Sequence, residues 1–193
     1  MKWLAVALFL AAPFWETKTP REWTEQELET LLTDSPWAAM VAAPGDAPPV
    51  QVYLASAGPM QQAEAERIRR QPRNGAKPPT DMDLEYQAWM RENRATSIVV
   101  AIAILRLNDG QLEEESQRMQ DESVMRIGRK KFKMTGYFPP TAGDPYLRLA
   151  FPRKVAEADK NVRFDLYIPG APMPYRSIEF KIRDMMVNGR LEI

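Results

Sequence analysis

The sequence predicts a mainly β protein: an antiparallel, Ig-like β-sandwich over residues 95–193, with short helices N-terminal to it. Three observations predict it. Residues 98–105 are an unbroken apolar run rich in Ile and Val, between Arg94 and Arg106. Side chains alternate faces along a strand, so Ile98, Val100, Ile102 and Ile104 would line one face, and Val99, Ala101, Ala103 and Leu105 the other. A strand apolar on both faces belongs in the middle of a packed structure. A buried helix is the competing reading of the same run, and the β-branched content with the Asn108-Asp109-Gly110 turn favours a strand. The second observation is clean alternation downstream, in Leu147/Leu149/Phe151, Val162/Phe164/Leu166/Ile168 and Ile178/Phe180/Ile182. The third is Asn188-Gly189, a two-residue hairpin signal near the C-terminal end.

Composition bounds the chemistry. The 193 residues have room for one domain and a smaller appendage, and 26 basic residues balance 26 acidic ones. That balance gives no global electrostatic case for nucleic acid. Neither His nor Cys occurs, which excludes Ser-His-Asp and Cys-His triads, His bases, disulfides and zinc sites built from His or thiolate. No cofactor is expected. Eleven of the 17 prolines cluster at 44–49, 72–79, 139–140 and 169–174, and these clusters read as joints between structured segments.

Residues 1–12 carry one positive charge and then an apolar run ending in small residues, the layout of a secretory signal peptide. Residues 1–15 are therefore expected to be a signal peptide and the protein to be exported, periplasmic or extracellular. Residues 16–94 read as a helical region with one short strand, packed on the main domain. Within it, Thr24 and Glu27 form a capping box, and Trp23 and Leu28 take the two positions of a hydrophobic staple. Leu28, Leu31 and Leu32 give that helix an apolar face, and Pro36 stops it just before Trp37. Trp23 and Trp37 read either as a partner-docking element or as pins holding the helix to the main domain.

Residues 50–55 read as a strand, and Pro59 opens a polar helix reaching about Arg70. Its Arg67, Arg69 and Arg70, with Arg73 beyond, read either as an anion patch, diluted by Glu64 and Glu66, or as a plain solvated face, which a charge run usually is. Thr80 caps a second helix whose Met82, Tyr86, Trp89 and Met90 form one stripe. Asp81, Asp83 and Glu85 lack the spacing of a calcium loop, so capping accounts for them better. Residues 111–121 read as a solvated helix. Arg129, Lys130, Lys131 and Lys133 form the densest basic cluster, either a surface for anionic polymers or a charged edge that discourages strand pairing.

Several of these pieces resemble a family of predicted exported bacterial proteins that carries no established activity. The matching residues are Trp23-Thr24-Glu25-Gln26-Glu27 with Leu31-Leu32-Thr33-Asp34-Ser35-Pro36-Trp37-Ala38, Phe151-Pro152-Arg153, and Phe180-Lys181-Ile182-Arg183-Asp184-Met185 with Asn188-Gly189-Arg190-Leu191. The resemblance implies export and a shared fold, and transfers no catalytic residue. The functional expectation is a non-enzymatic envelope module that binds a protein or glycan component, with no nucleic acid and no membrane span in the mature chain. Its interaction surface would involve Trp23, Trp37, Arg129, Lys130, Lys131 and Lys133. Two alternatives stand beside it. One is a subunit of an envelope assembly. The other is a carboxylate-based, glycosidase-like hydrolase, with Asp144, Asp159, Asp165 and Glu179 as candidate acids.

Overall fold

The computed structural model describes residues 12–42, 45, 48–72, 78–104, 109–171 and 173–193. Residues 1–11 of the expected signal peptide, Arg73 of the anion patch and Leu105 of the central run lie outside the described residues. The central run is a strand, β3 (Ser97–Ala103), buried from Ser97 through Ile102. It pairs antiparallel with β2 (Val50–Leu54) on one side and β7 (Tyr146–Pro152) on the other. Outside these lie β1 (Ala38–Val41) and β6 (Gly136–Phe138), giving a five-stranded sheet of order β1-β2-β3-β7-β6. A second sheet, of order β5-β4-β8-β9, comprises β4 (Val124–Ile127), β5 (Lys130–Lys133), β8 (Asn161–Tyr167) and β9 (Tyr175–Lys181).

Helices run throughout the chain. They are α1 (Phe14–Thr17), α2 (Glu25–Thr33), α3 (Gly58–Arg70), α4 (Asp81–Asn93) and α5 (Asp109–Glu122). This corrects the expected Ig-like β-sandwich with helices confined to its N-terminal side. The fold is mixed α/β, with α5 inserted between β3 and β4, and its two main sheets, beside a small two-stranded one, are open and not closed into a sandwich or barrel. The larger sheet also draws β1 and β2 from ahead of residue 95. The physical reason lies in β3 itself. A strand apolar on both faces needs two covers, and helices supply one of them.

Register shows which face is which. Tyr53, Ala101 and Arg148 lie side by side, as do Val52, Ile102 and Leu147 on the opposite face. The second face meets the smaller sheet through Phe151 and Phe164, whose rings pack edge-on at 5.3 Å. The first face carries the polar residues discussed below.

Local signals are realised where they were strongest. Thr24 and Glu27 form the reciprocal capping box of α2, Thr80 and Asp83 that of α4. Asn188 and Gly189 both adopt positive φ between β10 (Met186–Val187) and β11 (Arg190–Leu191), as a tight hairpin turn requires. After that turn the chain returns to the N-terminal half. The Trp37 indole donates to the Glu192 carbonyl at 2.6 Å, and the Glu192 carboxylate accepts from the Gly58 amide at 3.1 Å, at the start of α3. A Cβ at position 58 would come within 2.6 Å of that carboxylate, so glycine is what allows the approach.

No helix among the described residues is long and apolar enough to cross a membrane. Truncating a fully buried side chain of β3, Ile98→Ala, is expected to cost about 2–5 kcal/mol in urea unfolding. The exposed Leu84→Ala on α4 is expected to stay within about 0.5 kcal/mol of wild type.

Candidate functional site

The sequence-predicted interaction residues are dispersed. Trp23 and Trp37 lie in the core, 3% and 0% exposed. Phe14 packs edge-on to Trp23, and Trp15 to Trp37, so four aromatic rings form one cluster. Lys130, Lys131 and Lys133 fall on β5, an edge strand of the smaller sheet, with Arg129 in the turn before it. All four side chains are exposed, and Lys133 reaches Asp121 at 3.2 Å.

The anion patch on α3 is consumed internally. Arg69 and Arg70 both donate to Glu66, and Arg70 continues to Glu25 and to the Trp23 carbonyl. Arg67 donates to the Tyr146 hydroxyl at 2.7 Å. The hydrogen bonds from Arg69 and Arg70 hold the Glu66 carboxyl down at about 2.

The candidate hydrolase acids divide as well. Asp165 is held by Arg126, Arg163 and Ser177. Asp159 and Glu179 line a common cleft of about 520 Å³, but no aromatic ring lines it. Asp144 belongs instead to a buried network on the helix-covered face of the larger sheet.

That network is the most organised polar cluster among the described residues. Its hub is Arg148 on β7, 4% exposed. Arg148 donates to Glu64 of α3 at 2.6 Å and to Asp144 at 2.6 Å. Its guanidinium stacks 4.5 Å from the Tyr86 ring of α4 and 5.6 Å from the Tyr146 ring. Tyr53 on β2 donates to the same Glu64 oxygen at 2.5 Å, and its ring packs edge-on to Tyr146. Space for these groups comes from β3, which places only Ala101 between Tyr53 and Arg148 in the sheet.

The electrostatics follow from burial. Desolvation opposes the charge on Arg148, but Glu64, Tyr86, Tyr53 and Asp144 more than offset it and keep the group firmly protonated. Burial, with the Glu64 charge adding to it, pushes the Tyr53 and Tyr86 phenols up. Burial also raises the Asp144 carboxyl, although Arg148 opposes the shift. The Asp144 Oδ1 and Arg148 Nε atoms are buried without a hydrogen-bond partner.

A cleft of about 470 Å³ opens beside this network between α3 and α4. Ala55, Gln61, Glu64, Tyr86, Met90 and Arg91 are among its lining residues. Glu64 is the link between cleft and network. Both its side-chain hydrogen bonds fall on Oε1, and Oε2 accepts from no donor among the described residues. Asp144 does not line the cleft, so the cleft holds a single carboxylate from the network. Among the described residues, no group of three or more acidic side chains stands where it could hold a metal ion.

The alternation that groups Leu147, Leu149 and Phe151 on one covered face leaves Arg148 on the other, which reads as wet, and Glu64 reads only as a diluting charge. The signal that finds them was present: a strand apolar on both faces implies that its neighbours are covered on both faces too. An arginine on such a neighbour has to be buried and paired.

Removing the hub, Arg148→Met, leaves two carboxylates uncompensated and is expected to cost about 3–5 kcal/mol in guanidinium unfolding. Combining it with Glu64→Gln and Asp144→Asn is expected to recover most of that loss. Acid titration gives a separate check. The depressed Glu66 carboxyl contributes stability that is complete above pH 4.5, its ordinary value, and lost as pH falls toward about 2. Glu66→Gln is expected to flatten that limb of the stability profile.

Comparison of the chain with protein-family models, with curated proteins and with solved structures finds no match.

Proposed function

We propose that the chain is an exported, non-catalytic binding module of the cell envelope, and that the α3–α4 cleft is where it takes its ligand. The observation that carries this reading is the state of Glu64. One oxygen is fixed by Arg148 and Tyr53, which sets the orientation of the carboxylate; the other has no donor among the described residues, and the residue lines the cleft. A carboxylate already held in place by a buried arginine, which it shares with Asp144, suits holding a ligand better than attacking one. Export is supported by the apolar run of residues 1–12 and by the resemblance described above.

Native mass spectrometry on protein recovered from the exported fraction tests both parts. The chain is expected to start beyond the apolar run and to carry a noncovalent ligand that is released unchanged on denaturation. Gln87→Trp, which puts a large ring at an exposed position lining the cleft, is expected to lose that ligand. A full-length cytosolic species overturns export. Equal retention by Gln87→Trp overturns the cleft, and conversion of the ligand overturns the non-catalytic role.

A further inference from the structure

The α3–α4 cleft has two electrical poles. One is Glu64, which lines the cleft with Tyr86 and whose Oε1 is held by the buried network while Oε2 has no donor among the described residues. The other is formed by Arg91 and Arg94, which line this cleft and also the adjoining one that leads to Arg153 and the C-terminal segment. The Arg91 side chain makes no ion pair or hydrogen bond among the described residues. Arg94 reaches Glu192 only at 3.8 Å, with half its side chain exposed. The wall between the poles is Ala55, Tyr86 and Met90, and the amides of Gln61 and Gln87 border it.

One helix sets the spacing from Tyr86, which shares the Arg148 guanidinium with Glu64, to the cationic pole. Tyr86, Arg91 and Arg94 all belong to α4 or its C-terminal cap. A rise of 1.5 Å per residue puts Arg91 roughly 7.5 Å, and Arg94 roughly 12 Å, along the axis from Tyr86. Two extended residues span roughly 7 Å.

From this juxtaposition we infer that the cleft takes a dipeptide-sized zwitterion, its ammonium on Glu64 and its terminal carboxylate between Arg91 and Arg94. The inference rests on the cleft being the binding site proposed above. An ammonium offers the donors that Glu64 Oε2 accepts, and a guanidinium fork matches a carboxylate in two parallel hydrogen bonds. An apolar side chain of the ligand would lie on Met90 and the Tyr86 ring. A volume near 470 Å³ falls in the range of roughly 300–1,000 Å³ typical of small-ligand pockets. A dication meets the arginines and a dianion meets Glu64, so a ligand of one sign is disfavoured at one pole.

Isothermal titration with L-alanyl-L-leucine, its N-acetyl form, its C-terminal amide and L-leucine tests this. The free dipeptide is expected to bind, and each blocked form to bind about tenfold more weakly or worse. Leucine alone, too short to bridge the poles, is expected to be weaker as well. Arg91→Ala, at an exposed position, is expected to weaken the dipeptide about tenfold and to leave the amide unchanged. Equal binding of free and blocked forms overturns the inference, as does absence of dipeptide binding. Leucine binding as tightly as the dipeptide overturns the two-residue span. If native mass spectrometry finds a ligand sensitive to Gln87→Trp while the dipeptide fails to bind, the cleft stands and the zwitterion falls.

Discussion

The structure depends on one constraint: β3 has no face in water. Both of its surfaces therefore need covers, and the chain meets that need with unlike material. On one side the smaller sheet brings aromatic rings, with Phe151 meeting Phe164 and Phe164 meeting Phe180. On the other, α3 and α4 close over a layer in which apolar and polar groups are mixed. A purely apolar cover would have sealed the sheet just as well, so Arg148, Glu64 and Asp144 represent a departure from the cheapest packing. Buried ion pairs return little net stability once their desolvation is counted. What this one provides is orientation: it fixes a carboxylate of α3 relative to a tyrosine of α4.

The two helices are held against the sheet by different means. Along α4, Tyr86 and Trp89 pack on Phe138 of the edge strand β6. In α3, Arg70 of the basic run bonds to Glu66, Glu25 and the Trp23 carbonyl, and so ties α3 to the segment that leads into α2. The cleft between α3 and α4 is thus bounded by helices anchored separately. Its walls have a fixed spacing at the Glu64 end, where the buried network joins them.

Much of this was legible in the chain. Capping boxes at Thr24 and Thr80, the doubly apolar strand and the Asn188-Gly189 turn are short-range features, and short-range physics decides them. The layer order was not legible, because alternation reports that a face is covered without saying by what. The strand β1 escaped notice because Ala38-Ala39-Met40-Val41 has little β-branched content; it forms by pairing with β2. The candidate site was half visible. Arg148 sits among alternating residues that read as wet, and only its neighbour β3 reveals otherwise. Glu64 looks like any solvated helix charge until its partners, 84 residues distant in one case, are in place.

The strap formed by Glu192 has a consequence for how the molecule assembles. Its carbonyl and carboxylate close rings of 155 and 134 residues, to Trp37 and Gly58. Closure entropy grows only with the logarithm of ring size, so the two rings differ by only about 0.1 kcal/mol. Once either forms, the other is nearly free of entropic cost. The two attachments therefore engage and release as a single latch, and the Gly58 amide keeps its Glu192 acceptor only while that latch is shut.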